Sequence, residues 1–313
     1  MEATQVNKPA VSIVLPVFNG QKYLSSAIDS VIGQSFNSWE LLIVDDGSTD
    51  ASPSICDDYS AKDDRIRVFH QPNGGVNSAR AKGIENASGE FLTFLDADDA
   101  LKPDALEYMT SLFEDGIDLV AHGETSEALG KEDYLKALWG KGTGPELWGK
   151  MFRTALFKKT PFALERRMVM GEDLLLNSMY ALEICSARLF SKEVYCVNRN
   201  NESSVTRTFK HTWDYEKYYF GKVEELFLSK CRDWDSFEEI LLLVNKSWLN
   251  AMKYTMLDGG RINYSDEEFK AVRDYFKNKP GKTGPSEKLI FSCRQAVLYR
   301  LILKLCTRRK RNN

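Results

Sequence analysis

A mostly parallel sheet flanked by helices, an α/β fold, is what the sequence predicts. Two observations carry it. Short apolar, β-favouring runs alternate with stretches whose apolar positions recur at helical spacing between residues 11 and 121. Turn-forming residues punctuate the joins, as at Asn19-Gly20 and Asn73-Gly74-Gly75. Such alternation implies parallel strands joined by right-handed crossovers.

The elements follow in order. Residues 1–10 read as a lead-in. Residues 11–15 (VSIVL) read as a buried strand ended by Pro16. Tyr23, Leu24, Ala27, Ile28 and Val31 share one helical face, so 22–32 is an amphipathic helix. Residues 39–44 form a second strand, running into Asp45-Asp46-Gly47-Ser48. Ser48 to Asp50 can cap a helix reaching about residue 60. A third strand (66–69), a helix (76–86) and a fourth strand (91–95) follow, and Pro103 opens the next helix in its first turn. Residues 118–121 make a short fifth strand. Beyond residue 123 the alternation loosens: 147–152 and 188–198 read as strands, and 174–182 as a helix. From Trp213 the pattern is helical, over 213–231, 235–257, 266–278 and 286–306. The expected division is 1–208 as a catalytic α/β domain, with a nucleotide half (10–123) and an acceptor half (124–208), and 209–313 as a helical region.

Composition narrows the function. A formal net charge of −3 disfavours a nucleic-acid binder. Six cysteines without a C-x-x-C pair suggest neither a zinc site nor a redox motif, and read as reduced cytosolic thiols. Three histidines leave little for a His-based metal cluster. The N-terminus shows no secretory h-region and no stretch is apolar enough to span a bilayer. Neither G-x-G-x-x-G nor G-x-x-x-x-G-K-[ST] follows the first strand, where the chain reads Leu15-Pro16-Val17-Phe18-Asn19-Gly20. That disfavours a nicotinamide dehydrogenase and a P-loop enzyme.

Asp96, Asp98 and Asp99 follow the fourth strand within four positions. Close carboxylates repel, and a divalent cation resolves the repulsion. Mg²⁺ takes one or two carboxylates together with substrate phosphates. In open α/β sheets ligands sit beyond the carboxyl ends of the strands, where this turn falls. Read alone, such a turn is more often a solvated acidic turn ahead of a helix than a metal site.

Several motifs in order resemble an inverting family-2 glycosyltransferase of the GT-A fold, of the bacterial surface-polysaccharide type. They are VSIVLPVFN at 11–19, IVDDGSTD at 43–50, Asn73-Gly74-Gly75 with Ala79-Arg80, SGEF at 88–91, Asp96-Ala97-Asp98-Asp99 and Glu172-Asp173. The resemblance implies that Pro16, Val17, Phe18 and Asp46 line a nucleotide pocket, with Asp46 accepting a uracil-type N–H. It implies that Asp96, with Ala97 in the same loop, contacts the ribose or the metal, and that Asp98 ligates Mn²⁺ or Mg²⁺. Asp99 orients the loop. Asp173 would be the base, with Glu172 orienting it or binding the acceptor; an acidic pair in a helix's first turn also needs no catalytic job. Arg80 would meet a phosphate or cover a helix face; relatives commonly carry Asn one position on, where this chain has Ala81. Trp148 offers a face to a sugar or belongs to the core. Arg199, in a polar loop at 198–207, closes on the diphosphate or is solvated.

The partners so implied are a nucleoside-diphosphate sugar, UDP-sugar favoured, and a glycan acceptor that relatives commonly carry on a lipid. Residues 286–313 hold eight basic residues against Glu287 alone. Such a basic amphipathic tail can lie on an anionic membrane, placing the protein in the cytoplasm on the inner membrane's cytoplasmic face. The alternative is a final helix packed on its own domain. The other class of function is a non-catalytic sugar-nucleotide or glycan-binding subunit, which would not need Asp96, Asp98 and Asp173 intact.

Overall fold

The run VSIVLPV forms strand β1 (Val11–Val17), buried at every position. It pairs in parallel with β2 (Trp39–Asp45) on one side and β4 (Phe91–Phe94) on the other. β3 (Ile66–His70) extends the sheet beyond β2. These are observations from a computed structural model that describes residues 8–140, 142–160, 164–201, 208–279, 282, 288, 290 and 291. The chain divides into two compact units, Met1–Ser204 and Val205–Asn313.

Pro16 does not end β1 as expected. The Val14 carbonyl accepts from Leu95 on the β4 side, and the Val17 carbonyl from Asp46 on the β2 side. Period-two alternation therefore turns Pro16 toward β4, beyond Phe94 where β4 stops. Its missing N–H leaves no gap in the ladder, which is where a strand tolerates proline.

The sheet of the first unit has eight strands in the order β3-β2-β1-β4-β8-β6-β9-β7. Here β6 is Leu119–His122, β7 Ala128–Gly130, β8 Lys150–Arg153 and β9 Ser186–Phe190. β8 runs antiparallel between β4 and β6. A short pair, β5 (Ala100–Leu101) with β10 (Tyr195–Cys196), lies apart from that sheet. The mostly parallel sheet is as expected; the reversed β8 was not legible, because apolar periodicity carries no strand direction.

Helices follow their apolar faces. α1 (Leu24–Ile32) buries Leu24, Ala27, Ile28 and Val31. α2 (Ser52–Ser60) buries Cys56. α3 (Val76–Asn86) has the bounds its sequence predicts and lays Gly83 directly on Val14, where any Cβ would clash. α4 (Ala105–Ser111) begins after Pro103 rather than at it. α5 (Lys131–Gly140) and α6 (Thr154–Phe157) were not expected. α7 (Glu172–Ala181) starts two residues before the expected point, at the acidic pair itself. One core cluster combines β1 and β2 residues such as Ile13, Leu15, Leu41 and Ile43 with Leu24, Leu106 and Met151.

The second unit contains α8 (Trp213–Leu226), α9 (Phe237–Leu257) and α10 (Glu267–Lys277). Trp213, Leu249, Met252, Met256, Phe269 and Val272 share its core. Thr212 caps α8 by accepting from the Tyr215 N–H at 3.3 Å. The expected tail helix and its basic cluster fall, apart from Lys288, Ile290 and Phe291, outside the described residues. Among the described residues no helix is long and apolar enough to cross a membrane.

Candidate active site

Because β1, β2, β3 and β4 are parallel, the segments after them gather at one edge of the sheet. Those segments carry Phe18, Asp46, Asn73 and the acidic turn at 96–99. The first two are stitched together. The Asn19 N–H donates to Ser48 Oγ at 2.9 Å, and Asn19 Oδ1 accepts from the Thr49 N–H at 2.8 Å. Asn19 takes φ 52°, a conformation asparagine tolerates better than most residues. Gly47 has φ 74°, and a Cβ there would lie 2.8 Å from the Asn73 nitrogen.

Asp46 is buried and heavily committed. Its Oδ1 accepts from Gln71 Nε2 at 2.7 Å and the Gly74 N–H at 2.8 Å. Its Oδ2 accepts from the Gly75 N–H at 2.7 Å. The carboxylate is thus the clasp of the 71–75 loop. Pro16 and Val17 are buried, Val17 within the core cluster, while Phe18 is 53% exposed beside them. Of these three, the exposed ring is Phe18's.

The acidic turn is held by residues from β10 and the loop after it. The Tyr195 hydroxyl accepts from the Asp96 N–H at 3.0 Å and donates to Asp99. Asp99 is buried and accepts from the Asn198 N–H at 2.7 Å. Burial raises its carboxyl above the usual range. Asp98, partly exposed, accepts from Asn201 Nδ2 at 2.8 Å. Ala97 is half-buried between them and packs against the core. Trp148 stacks on Tyr195 at 4.6 Å and 12°, so that ring also covers one of its own faces. Arg199 is exposed in the same 198–201 loop.

Arg80 joins this turn to the acidic pair. It sits on the buried face of α3. Nη1 donates to Asp173 Oδ1 at 2.7 Å and lies 3.8 Å from Glu172 Oε1, while Nη2 lies 3.6 Å from Asp96 Oδ1. Its guanidinium is therefore engaged by carboxylates rather than standing ready for a phosphate. Burial opposes its charge, but Asp173, Asp96 and Glu172 outweigh that and hold it protonated. Glu172 and Asp173 occupy the first turn of α7, where the helix dipole favours anions. Gly171 precedes them at φ 82°, a left-handed turn that glycine enters without strain. The second oxygen of Asp173 accepts from the Leu147 N–H at 3.3 Å.

The cluster carries surplus negative charge. Burial lifts the Asp96 carboxyl to about 7, with Arg80 opposing and Asp173, Asp99 and Asp98 adding. Burial and Asp173 likewise raise Glu172. Among the described residues no group of three or more His, Cys, Asp or Glu is arranged as a cation cage. An all-oxygen pair with excess charge instead fits a hard divalent cation that completes its shell from substrate phosphates.

Tyr195, Asn198 and Asn201 escaped the sequence reading as site residues. The polar run after residue 198 was the one signal for the latter two, and nothing in sequence tied it to the acidic turn about 100 positions earlier.

The order of this sheet and the acidic turn at its carboxyl edge define a GT-A fold, the expected class. The chain matches the model of Glycosyl transferase family 2 over residues 12–174, and it belongs to that family. It is 37% identical over 185 residues to the putative glycosyltransferase EpsH of Bacillus subtilis (strain 168), covering 53% of this chain and 54% of EpsH. The match thus spans about half that relative's length. In structure it resembles S. aureus TarS 1-349 in complex with UDP-GlcNAc (TM-score 0.62, 19% identity, 84% of this chain and 83% of that one). It also resembles the mannosyltransferase PcManGT of Pyrobaculum calidifontis in complex with GDP-Man and Mn²⁺ (TM-score 0.52, 16% identity, 96% and 88%). Likeness at such identities speaks for the fold.

Proposed function

We propose that the chain is an inverting glycosyltransferase. It moves a hexose or N-acetylhexosamine from a nucleoside-diphosphate sugar, UDP-sugar favoured, to a hydroxyl of a surface-glycan acceptor. The observation that carries this is the Arg80 junction. A buried guanidinium couples Asp96 of the acidic turn to Glu172 and Asp173 on α7. Donor-side and acceptor-side carboxylates thereby share one cluster. That TarS and PcManGT were solved with UDP-GlcNAc and with GDP-Man and Mn²⁺ supports a sugar-nucleotide donor.

In this reading Phe18 packs near the base and Asp46 shapes the loop beside it. Asp98, with Asp96, would hold Mn²⁺ or Mg²⁺. When bound, that cation supplies Lewis-acid stabilisation of charge on the departing diphosphate. The chain's own chemistry is proton removal and placement. One displacement forms the bond from the acceptor oxygen to the anomeric carbon and breaks the bond from that carbon to the diphosphate oxygen. The acceptor proton passes to the Asp173 carboxylate, the electron pair leaves with the nucleoside diphosphate, and configuration inverts. Arg80 and the Leu147 N–H fix that carboxylate. Glu172 meets the acceptor, and Arg199 closes on the diphosphate. The basic tail at 286–313 places the enzyme on an anionic cytoplasmic membrane face, beside a lipid-linked acceptor.

The experiment is a panel of UDP- and GDP-sugars with Mn²⁺ or Mg²⁺, read as nucleoside diphosphate released. At least one donor should turn over with metal and stall with chelator. No release from any donor, with the protein still binding one of them, would favour the non-catalytic subunit.

A further inference from the structure

Lys150 is 2% exposed on β8, a strand position that an aliphatic residue would fill at lower cost. A buried ammonium is tolerated when its donors are used. Lys150 Nζ donates to the Gly144 carbonyl at 2.7 Å and to the Glu146 carbonyl. Its own carbonyl accepts from Thr93 Oγ1 at 2.7 Å, tying it to β4. Burial draws the ammonium down to about 8, while Glu146 and Asp173 pull the other way.

Asn177 of α7 grips the same segment. Its Nδ2 donates to the carbonyls of Pro145 at 2.7 Å and Glu146 at 3.2 Å, and to that of Asp173, one turn earlier on its helix, at 3.0 Å. Three successive carbonyls, of Gly144, Pro145 and Glu146, are thus pinned by two side chains. The next residue is Leu147, fully buried, whose N–H meets Asp173 Oδ2. With Arg80 on Oδ1, that N–H fixes the plane of the carboxylate.

We infer that Lys150 is a positioning residue for Asp173. Its ammonium, with the Asn177 amide, holds residues 144–146 so that the Leu147 N–H faces the carboxylate. This rests on the reading of Asp173 as the base. A base displaced by about 1 Å can cost on the order of 100-fold in rate.

The test is a double-mutant cycle of Lys150→Met and Asp173→Asn in the full chain, with single-turnover transfer as the readout. Lys150→Met should lower kcat by roughly 10- to 100-fold with donor KM within about twofold. In the Asp173→Asn background it should cost nothing further, because the group it positions is gone. Unchanged kcat in Lys150→Met, or an equal loss in both backgrounds, overturns the inference. Should Lys150→Met not fold, Asn177→Ala removes the opposite grip and carries the same two outcomes. Normal transfer by Asp173→Asn sinks the base assignment and this inference with it. Lost transfer there, with a fully active Lys150→Met, sinks the inference alone.

Discussion

Asp173→Asn should lose transfer while keeping the donor. The amide matches the carboxylate in shape and its oxygen can still accept from Arg80, so the cluster stays assembled. What it cannot do is take a proton. Removing a positioned general base costs typically 10²- to 10⁴-fold. The drop should lie in kcat, and donor affinity measured by calorimetry should stay within about threefold, since the group lost acts on the acceptor. Stability should change little: side-chain exposure at Asp173 is 21%, and of its two contacts only the 3.3 Å one from Leu147 would face an amide N–H. Glu172→Gln makes the comparison informative. Glu172 is 3.8 Å from Arg80 and binds no backbone N–H of residue 147, so its loss should be the smaller. Normal transfer by Asp173→Asn would remove the base from this account.

The second large effect belongs to Asp98→Ala. Asp98 is partly exposed, and among the described residues its side chain accepts a single part-buried hydrogen bond, from Asn201, so the fold has little to lose. Donor turnover should fall by on the order of 100-fold or more, since a metal-bound diphosphate draws several kcal/mol from its cation. Mn²⁺ titration should no longer restore the rate. Asp99→Ala should behave otherwise. Its buried carboxylate accepts from the Asn198 backbone and the Tyr195 hydroxyl, so its removal leaves buried donors unpaired. That variant should lose thermal stability, whereas Asp98→Ala should not. The pair separates a group that faces the ligand from one that holds the loop.

Much of the fold between residues 10 and 123 was legible because its signals are local. β1, β2, β3, β4 and α3 all lie within two residues of their expected bounds, since each carries a short, mostly apolar run or one helical stripe. Pro16 misled for a physical reason: a proline stops a strand only on a side that has a partner, and pairing is not written in the residue. Residues 124–208 were harder. Lys150 sits in an apolar run and is buried through carbonyl partners of the 144–146 loop, which Asn177 of α7 also holds. Nothing local marks it. Arg80 shows the same limit. Its helix was foreseen but its partners were not, because Asp96 and Asp173 lie on separate elements that only the sheet order brings together. Asp46 could be singled out by its motif, yet its commitment to the 71–75 backbone appears only in three dimensions. The membrane-facing expectation for residues 286–313 has no counterpart here, since nearly all of that stretch falls outside the described residues.

The most direct measurement is the dissociation constant of UDP by calorimetry, with Mn²⁺ and with chelator, in the intact chain and in Asp98→Ala. If acids at the rim of the sheet grip a cation that carries the diphosphate, UDP should bind at least about tenfold tighter with Mn²⁺, a gain of about 1.4 kcal/mol. That gain should vanish in Asp98→Ala. Equal affinity with and without the ion in the intact chain would contradict the account.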